Sequence, residues 1–140
     1  MRLRMQFIAA PLIALALYSP AHASNHPIDK AMDTCLSTAK GTGVTQCIQL
    51  SSELWEKEVA KKLKGVLSKA SLAGRKDVEA SQAKWIAYRD AEFAAIDSLY
   101  RGRSGDLNGV LKIADRTEVL KARALQLTSY AVLLTSIPEQ

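Results

Sequence analysis

The sequence has very few of the residues that usually carry enzyme chemistry. Only two histidines occur among the 140 residues, His22 and His26, and both lie near the N-terminus. The usual general base is therefore missing from the rest of the chain, and no serine lies in a nucleophile-elbow pattern. No glycine-rich loop follows a strand pattern, and no cluster of ligand-type residues has metal-site spacing. We therefore predict a protein that is not an enzyme and that uses no metal and no cofactor.

Concentrated charge is also missing. Lys and Arg number 19 against 14 acidic residues, a formal net charge of +5. A weak positive charge spread along the chain does not indicate a nucleic-acid partner. Glu53, Glu56 and Glu58 are close enough in sequence to suggest acid and base carboxylates. They lie in a lysine-rich amphipathic stretch, and we interpret them as a solvated face.

The N-terminus has the pattern of a secretory leader. Two arginines in the first four residues precede the apolar run Phe7–Tyr18, and Ala21-His22-Ala23 has the form of a signal-peptidase site. The run is shorter than the roughly 20 residues that a membrane span needs, and no cysteine follows it to suggest a lipoprotein. A retained interfacial anchor is the alternative. We predict a signal peptide at 1–23, cleavage near Ala23 and one mature domain at 24–140, periplasmic or secreted without stable membrane insertion.

Cysteine usage agrees with export. Cys35 and Cys47 are the only two cysteines. An even count in an oxidising compartment favours a disulfide, which here would stabilise by roughly 2–4 kcal/mol. A redox pair or half of a metal site is the alternative. Redox pairs usually have C-x-x-C spacing, and no histidine lies near this pair in zinc-site order.

The part of the chain after the leader predicts an all-α fold. Proline is rare there, strand-like alternation is absent, and apolar residues recur at close to 3.6-residue spacing. Glycines near residues 41–43, at 74 and within 102–109 separate the periodic segments. We predict a small bundle of three long helices plus a short N-terminal helix tied by the disulfide. The predicted helices are Pro27–Lys40, Thr45–Ala70, Lys76–Arg101 and Val110–Thr135.

The stretch SQAKWIAYRDAEF, residues 81–93, is the densest in aromatic and charged residues. Trp85, Ile96 and Leu99 are predicted to lie on one apolar stripe of the third helix. Trp85, Arg89, Glu92 and Ile96 fall within about 40° of each other, so this stripe contains an arginine and a glutamate that are close enough to pair. We interpret the stretch as a packing and register element in which Arg89 covers Trp85 or Tyr88. Possible cross-helix partners of its charged residues are Glu56 and Arg123. Outward-facing candidates for partner contact are Tyr88 and Asp90.

Several segments together resemble the lysozyme inhibitor LprI-like family of exported bacterial proteins. The most specific segment is 81–92, which is similar to the signature Q-x-x-W-x-x-Y-R-D-A-E. The others are the cysteine pair in 32–36 and 45–47, the helix segment 53–58 around Trp55, and Arg123-Ala124 followed by Leu127. Trp55, Trp85, Arg89, Glu92 and Arg123 are the structural positions of this pattern.

One position departs from the family pattern. Many members carry a cysteine just after the D-A-E segment and a second cysteine in the last helix. This chain has Phe93 there and no cysteine in its last predicted helix. We predict that an apolar contact between Phe93 and the fourth helix replaces that bridge.

The resemblance implies a protein that binds and inhibits lysozyme, or another peptidoglycan-active enzyme, without catalysis. The partner would therefore be a protein. Animal-type lysozymes are strongly basic, so a weakly basic chain gains no electrostatic steering toward them. A local acidic patch around Asp90, Asp97 and Asp106 would compensate. Candidate contact residues are Tyr88, Asp90, Arg103, Asp106 and Asn108.

Three alternatives fit the same fold and location. The first is an immunity or adaptor protein for a secreted bacterial toxin. The second is a structural or stress-related envelope protein with no enzyme target. An envelope hydrolase is the most distant, because it needs a base that the sequence does not display.

Overall fold

A computed structural model describes residues 26–136 of the chain. Four helices make up most of this part, and no strand occurs within it. Their bounds are α1 Pro27–Thr38, α2 Thr42–Lys69, α3 Leu72–Tyr100 and α4 Asp106–Ser136. The predicted fold, three long helices and a short one tied by a disulfide, is confirmed. The predicted leader lies outside the described residues.

The first two helices begin with different caps. His26 precedes α1, and its Nδ1 accepts a hydrogen bond from the Ile28 amide at 3.3 Å. Pro27 fills the first helical position, where a missing N–H costs nothing. The second helix is predicted to begin at Thr45, and this bound is wrong. The helix begins three residues earlier, because Gly41 turns the chain with a φ of 56° that other residues avoid.

The last two helices also begin earlier than predicted. Ser71 caps α3, since its hydroxyl accepts a hydrogen bond from the Gly74 amide at 3.3 Å, so the helix begins at Leu72 and not Lys76. The start of α4 is Asp106, four residues before the predicted Val110. The predicted glycine loop therefore shrinks to residues 101–105, and two predicted loop residues, Asp106 and Asn108, lie in the first turn of α4.

The core lies between α2 and α4. These two helices run parallel, since α3 returns the chain between them: Thr42 lies near Asp106 at one end, and Val66 near Leu134 at the other. Apolar residues at helical spacing on each helix meet across the interface, so each helix buries one stripe. The core cluster is Trp55, Val59, Val66, Leu120, Ala124 and Leu127.

The two remaining helices pack on opposite members of this pair. α1 packs mainly against α2, and α3 packs mainly against α4. α3 contributes one buried residue, Ile96, and Leu99, predicted in its apolar stripe, is 69% exposed. The prediction for Leu99 is wrong because α3 ends one residue later, where no helix covers that side. In the described part of the chain, no helix is long and apolar enough to cross a membrane.

Candidate functional site

A disulfide fixes α1 to the rest of the molecule. Cys35 in α1 and Cys47 in α2 are bonded, with their Cα atoms 5.7 Å apart. Cys47 is buried, and no free cysteine occurs in the described residues. The bridge lies near the turn between the two helices, so it holds α1 against α2.

A buried ion pair lies beneath α1. Asp29 and Lys121 are 92 residues apart in sequence, and the lysine Nζ donates to Asp29 Oδ1 at 3.0 Å. Both side chains are about nine-tenths buried or more. Lys121 Nζ also lies 5.5 Å from the centroid of the Trp55 ring. The carboxylate and the ring face together offset part of the cost of burying the ammonium group.

His26 also belongs to this cluster. Its ring centroid lies 4.3 Å from that of Trp55, and the residue is partly buried. Its Nδ1 accepts the helix-capping hydrogen bond from the Ile28 amide.

A small cavity of about 130 Å³ lies beside the ion pair, between α1, α2 and α4. Two buried polar atoms of its lining, Asp29 Oδ2 and Ser51 Oγ, have no hydrogen-bond partner. Asp29 is 5% exposed and Ser51 is 2% exposed. Buried polar atoms without partners are rare in folded proteins, so these two need an explanation. The lining residues are Asp29, Met32, Leu36, Ile48, Ser51, Trp55, Ala114, Thr117 and Glu118.

The signature tryptophan of α3 lies near two guanidinium groups. Arg89 lies 5.5 Å and Arg123 lies 5.7 Å from the centroid of the Trp85 ring. Arg123 is 3% exposed and donates from Nε and Nη2 to Gln82 Oε1 at 3.0 and 2.8 Å. Burial lowers the pKa of the Arg123 guanidinium from its ordinary value. This arginine therefore joins α4 to α3 through an amide oxygen.

The other charged residues of the signature do not form the expected pair between Arg89 and Glu92. Arg89 pairs with its neighbour Asp90 at 2.7 Å, while no described ion pair includes Glu92. Asp97 pairs with Lys112 and Arg116 of α4. Two carboxylates of the expected acidic patch, Asp90 and Asp97, are thus already neutralised by neighbouring cations.

The five predicted contact residues fall into two separate groups. Tyr88, which is 53% exposed, and Asp90 lie in the middle of α3. Arg103, Asp106 and Asn108 lie in or just after the α3–α4 turn. About ten helical residues, or about 15 Å, separate the groups along α3. The structure does not bring the five together at one point.

Asp106 lines a larger open groove of about 920 Å³ between the N-terminal halves of α2 and α4. Glu53 and Glu56 line its other side and, like Asp106, form no ion pair with a described residue. The groove lies on the face of the α2–α4 pair opposite to α1. Among the described residues that line this groove, one buried polar atom lacks a hydrogen-bond partner, Nε of Arg116. The guanidinium of Arg116 nevertheless pairs with Asp97.

Phe93, which directly follows the D-A-E segment, has two kinds of contact in the structure. The ring packs against the core cluster. The Arg116 guanidinium also lies 4.9 Å from the ring centroid. The predicted apolar contact is therefore accompanied by a cation–π contact, which the sequence pattern did not indicate.

Three functional candidates beneath α1 were missed from the sequence: Asp29, Ser51 and Lys121. A signal for one of them was present. Lys121 follows Thr117 by four residues and precedes Ala124 by three, so helical periodicity already places it on the buried face of α4. No such pattern connects it to Asp29, because a pairing across 92 residues depends on how α1 packs.

Comparison with known proteins identifies the family. The fold and the site define a small helical protein with a disulfide-tied first helix and a polar cluster beneath it. A family model described as "Lysozyme inhibitor LprI" matches residues 32–127, which is more than half of the chain. The chain therefore belongs to the LprI lysozyme inhibitor family, as the resemblance implied. No curated protein and no solved structure matches it.

Proposed function

We propose that this protein binds a lysozyme or a related peptidoglycan-cleaving enzyme and inhibits it without catalysis. Family membership carries this proposal. The matched residues 32–127 begin inside α1 and end inside α4, so they include the disulfide and all six residues of the core cluster. The family description names lysozyme as the inhibited enzyme.

The rigidity of the α1 end supports a binding role. A disulfide and a buried ion pair hold α1 in one position against α2 and α4. A surface that is already ordered loses little conformational entropy when a partner docks, which increases affinity. A rigid inhibitor surface therefore fits binding to a folded enzyme.

We place this activity outside the cytosol, in the periplasm or the external medium. A leader at residues 1–23 with cleavage near Ala23 would deliver residues 24–140 there. The Cys35–Cys47 bridge supports this location, because disulfides persist in oxidising compartments. Peptidoglycan and the enzymes that cut it are found in the same place.

The test is a lysis assay with purified residues 24–140 carrying the intact disulfide. The clearing of a cell-wall suspension by lysozyme should slow as the protein is added, and the effect should saturate near equal molar amounts. Hydrolysis of a small soluble oligosaccharide by the same lysozyme separates obstruction of the enzyme from protection of the wall. Undiminished lysis at large molar excess would contradict a lysozyme target, and capture of a toxin from envelope extract would favour an immunity role.

A further inference from the structure

We propose that the cavity beneath α1 is a binding pocket for a primary ammonium group, and that it accepts a lysine side chain of the partner protein. We call it the lysine pocket and define it by Asp29, Met32, Ser51, Trp55 and Glu118. This inference rests on the proposed function for the identity of the partner. The chemistry of the pocket can be tested without any partner.

The unsatisfied atoms indicate what kind of group is missing. A carboxylate oxygen can only accept hydrogen bonds, so Asp29 Oδ2 requires a donor. Ser51 Oγ can accept one as well. An ammonium group has three donors on one atom and no acceptor, which matches acceptors of this kind. A guanidinium has five donors in a fixed fork, and the two oxygens would leave most of them without partners.

Charge in and around the pocket also favours a cation. Asp29 and Glu118 contribute two negative charges and Lys121 contributes one positive charge, which leaves a net charge of −1. One more positive group would make this set neutral. An anionic ligand would meet Asp29 and Glu118 without a free cation to offset them.

The walls fit the aliphatic part of a lysine. Most of the lining apart from Asp29, Ser51 and Glu118 is apolar, including Met32 and Trp55. Lysine methylenes are stabilised along such walls while the ammonium group reaches a polar end. The cavity of about 130 Å³ is large enough for several water molecules, whose share of liquid volume is about 30 Å³ each. A short alkyl chain with a terminal ammonium therefore fits.

The disulfide maintains one wall of the pocket. Asp29 and Met32 lie on α1, while Ser51 and Trp55 lie on α2. The position of α1 against α2 is held by the Cys35–Cys47 bridge. Reduction should loosen α1 and weaken the binding of an ammonium ligand before the α2–α4 core unfolds.

The direct test uses n-butylammonium as a probe on residues 24–140. Its titration should produce saturable NMR shifts at the Met32 methyl and the Trp55 indole N–H, with a Kd on the order of 1 mM for so small a ligand. Butyrate and butanol have chains of similar length but carry a negative charge and no charge, respectively. Both should shift these signals much less than butylammonium does. Absent or non-saturating shifts, or equal effects from all three probes, would mean that the cavity holds only water, and the proposal would be overturned.

Two neighbouring serines provide a matched pair of variants. Ser51→Ala removes one acceptor and keeps the Asp29–Lys121 pair, so butylammonium should bind about tenfold more weakly. Ser52→Ala changes the next residue of α2, which lines the groove on the opposite face, and should bind as the unchanged protein does. Equal affinity of both variants for the probe would overturn the assignment of Ser51.

The same two variants separate this inference from the proposed function. If butylammonium binds but lysozyme is never inhibited, the pocket is supported and the lysozyme target fails. If lysozyme is inhibited equally by Ser51→Ala and Ser52→Ala, the target is supported and the role of the pocket in binding it is overturned. Weaker inhibition by Ser51→Ala alone supports both.

Discussion

The α2–α4 pair and α3 are held in the molecule by different kinds of contact. α2 buries five residues and α4 buries six, whereas α3, of similar length, buries only Ile96. Yet α3 contains the stretch of sequence with the clearest family signature. A distinctive sequence pattern therefore does not identify the helix that contributes most to the core.

The contacts of α3 with α4 are largely polar or aromatic. Gln82 accepts from Arg123, the Phe93 ring faces Arg116, and the Tyr100 hydroxyl donates to Asp115. The Gln82–Arg123 and Phe93–Arg116 contacts contribute about 0.5–1.5 kcal/mol each, whereas a buried aromatic or leucine side chain contributes several. α3 should thus open more readily than the α2–α4 pair.

The largest expected difference in stability is between alanine variants of the two tryptophans. Trp55 is 1% exposed in the core, so Trp55→Ala should lower the free energy of unfolding by about 3–5 kcal/mol. Trp85 is only partly buried, and Trp85→Ala should cost about half as much. Urea unfolding of both variants measures the difference. Equal losses would show that α3 is as much a part of the core as α2.

The sequence predicted the α2–α4 core well because its signal is local. Trp55, Val59 and Val66 recur at helical spacing within one helix, and Leu120, Ala124 and Leu127 do the same in another. The same method overestimated α3. Periodicity identifies an apolar stripe, but it does not show whether a neighbouring helix extends far enough to cover Leu99.

The next effect concerns the bridge that holds α1. Replacing Cys35 and Cys47 together by serine should cost about 2–3 kcal/mol, because the closed loop of 12 residues is short. Hydrogen exchange should rise in α1 and the first turns of α2 and stay low near Val66. Exchange that rises equally along α2 would show that the bridge stabilises the whole core.

The cavity beneath α1 could not be predicted from sequence for a different reason. Cys35 and Cys47 gave the connection between α1 and α2, but nothing local shows that Asp29 meets Lys121 of α4. The unpaired atoms are properties of the packed structure. A polar residue on a buried helix face, such as Lys121, is the only part of this arrangement that periodicity reveals.

A smaller difference should separate two arginines near Trp85. Arg123 is buried and joins α4 to Gln82, so Arg123→Ala should lower the unfolding free energy by about 2 kcal/mol. Arg89 pairs with the exposed Asp90 on the same helix, and Arg89→Ala should cost about 0.5 kcal/mol. Thermal unfolding at matched salt compares them. Equal shifts in Tm would remove the distinction between a cross-helix contact and a local one.

The smallest effect lies at the end of α3 and depends on pH. The hydrogen bond from the Tyr100 hydroxyl to Asp115 raises the pKa of Tyr100 above its ordinary value of 10.0, and partial desolvation and the Asp115 charge act in the same direction. Because the folded-state pKa is the higher one, this contact contributes fully below about pH 10 and is lost as the pH rises through the folded-state value. The difference in tyrosinate absorbance between the unchanged protein and Tyr100→Phe isolates this titration. Asp115→Asn should move the titration of Tyr100 to lower pH, whereas the control Asp77→Asn, near the other end of α3, should leave it unchanged. If Asp115→Asn does not move the titration, the Tyr100–Asp115 hydrogen bond is not one of the contacts that hold α3 to α4.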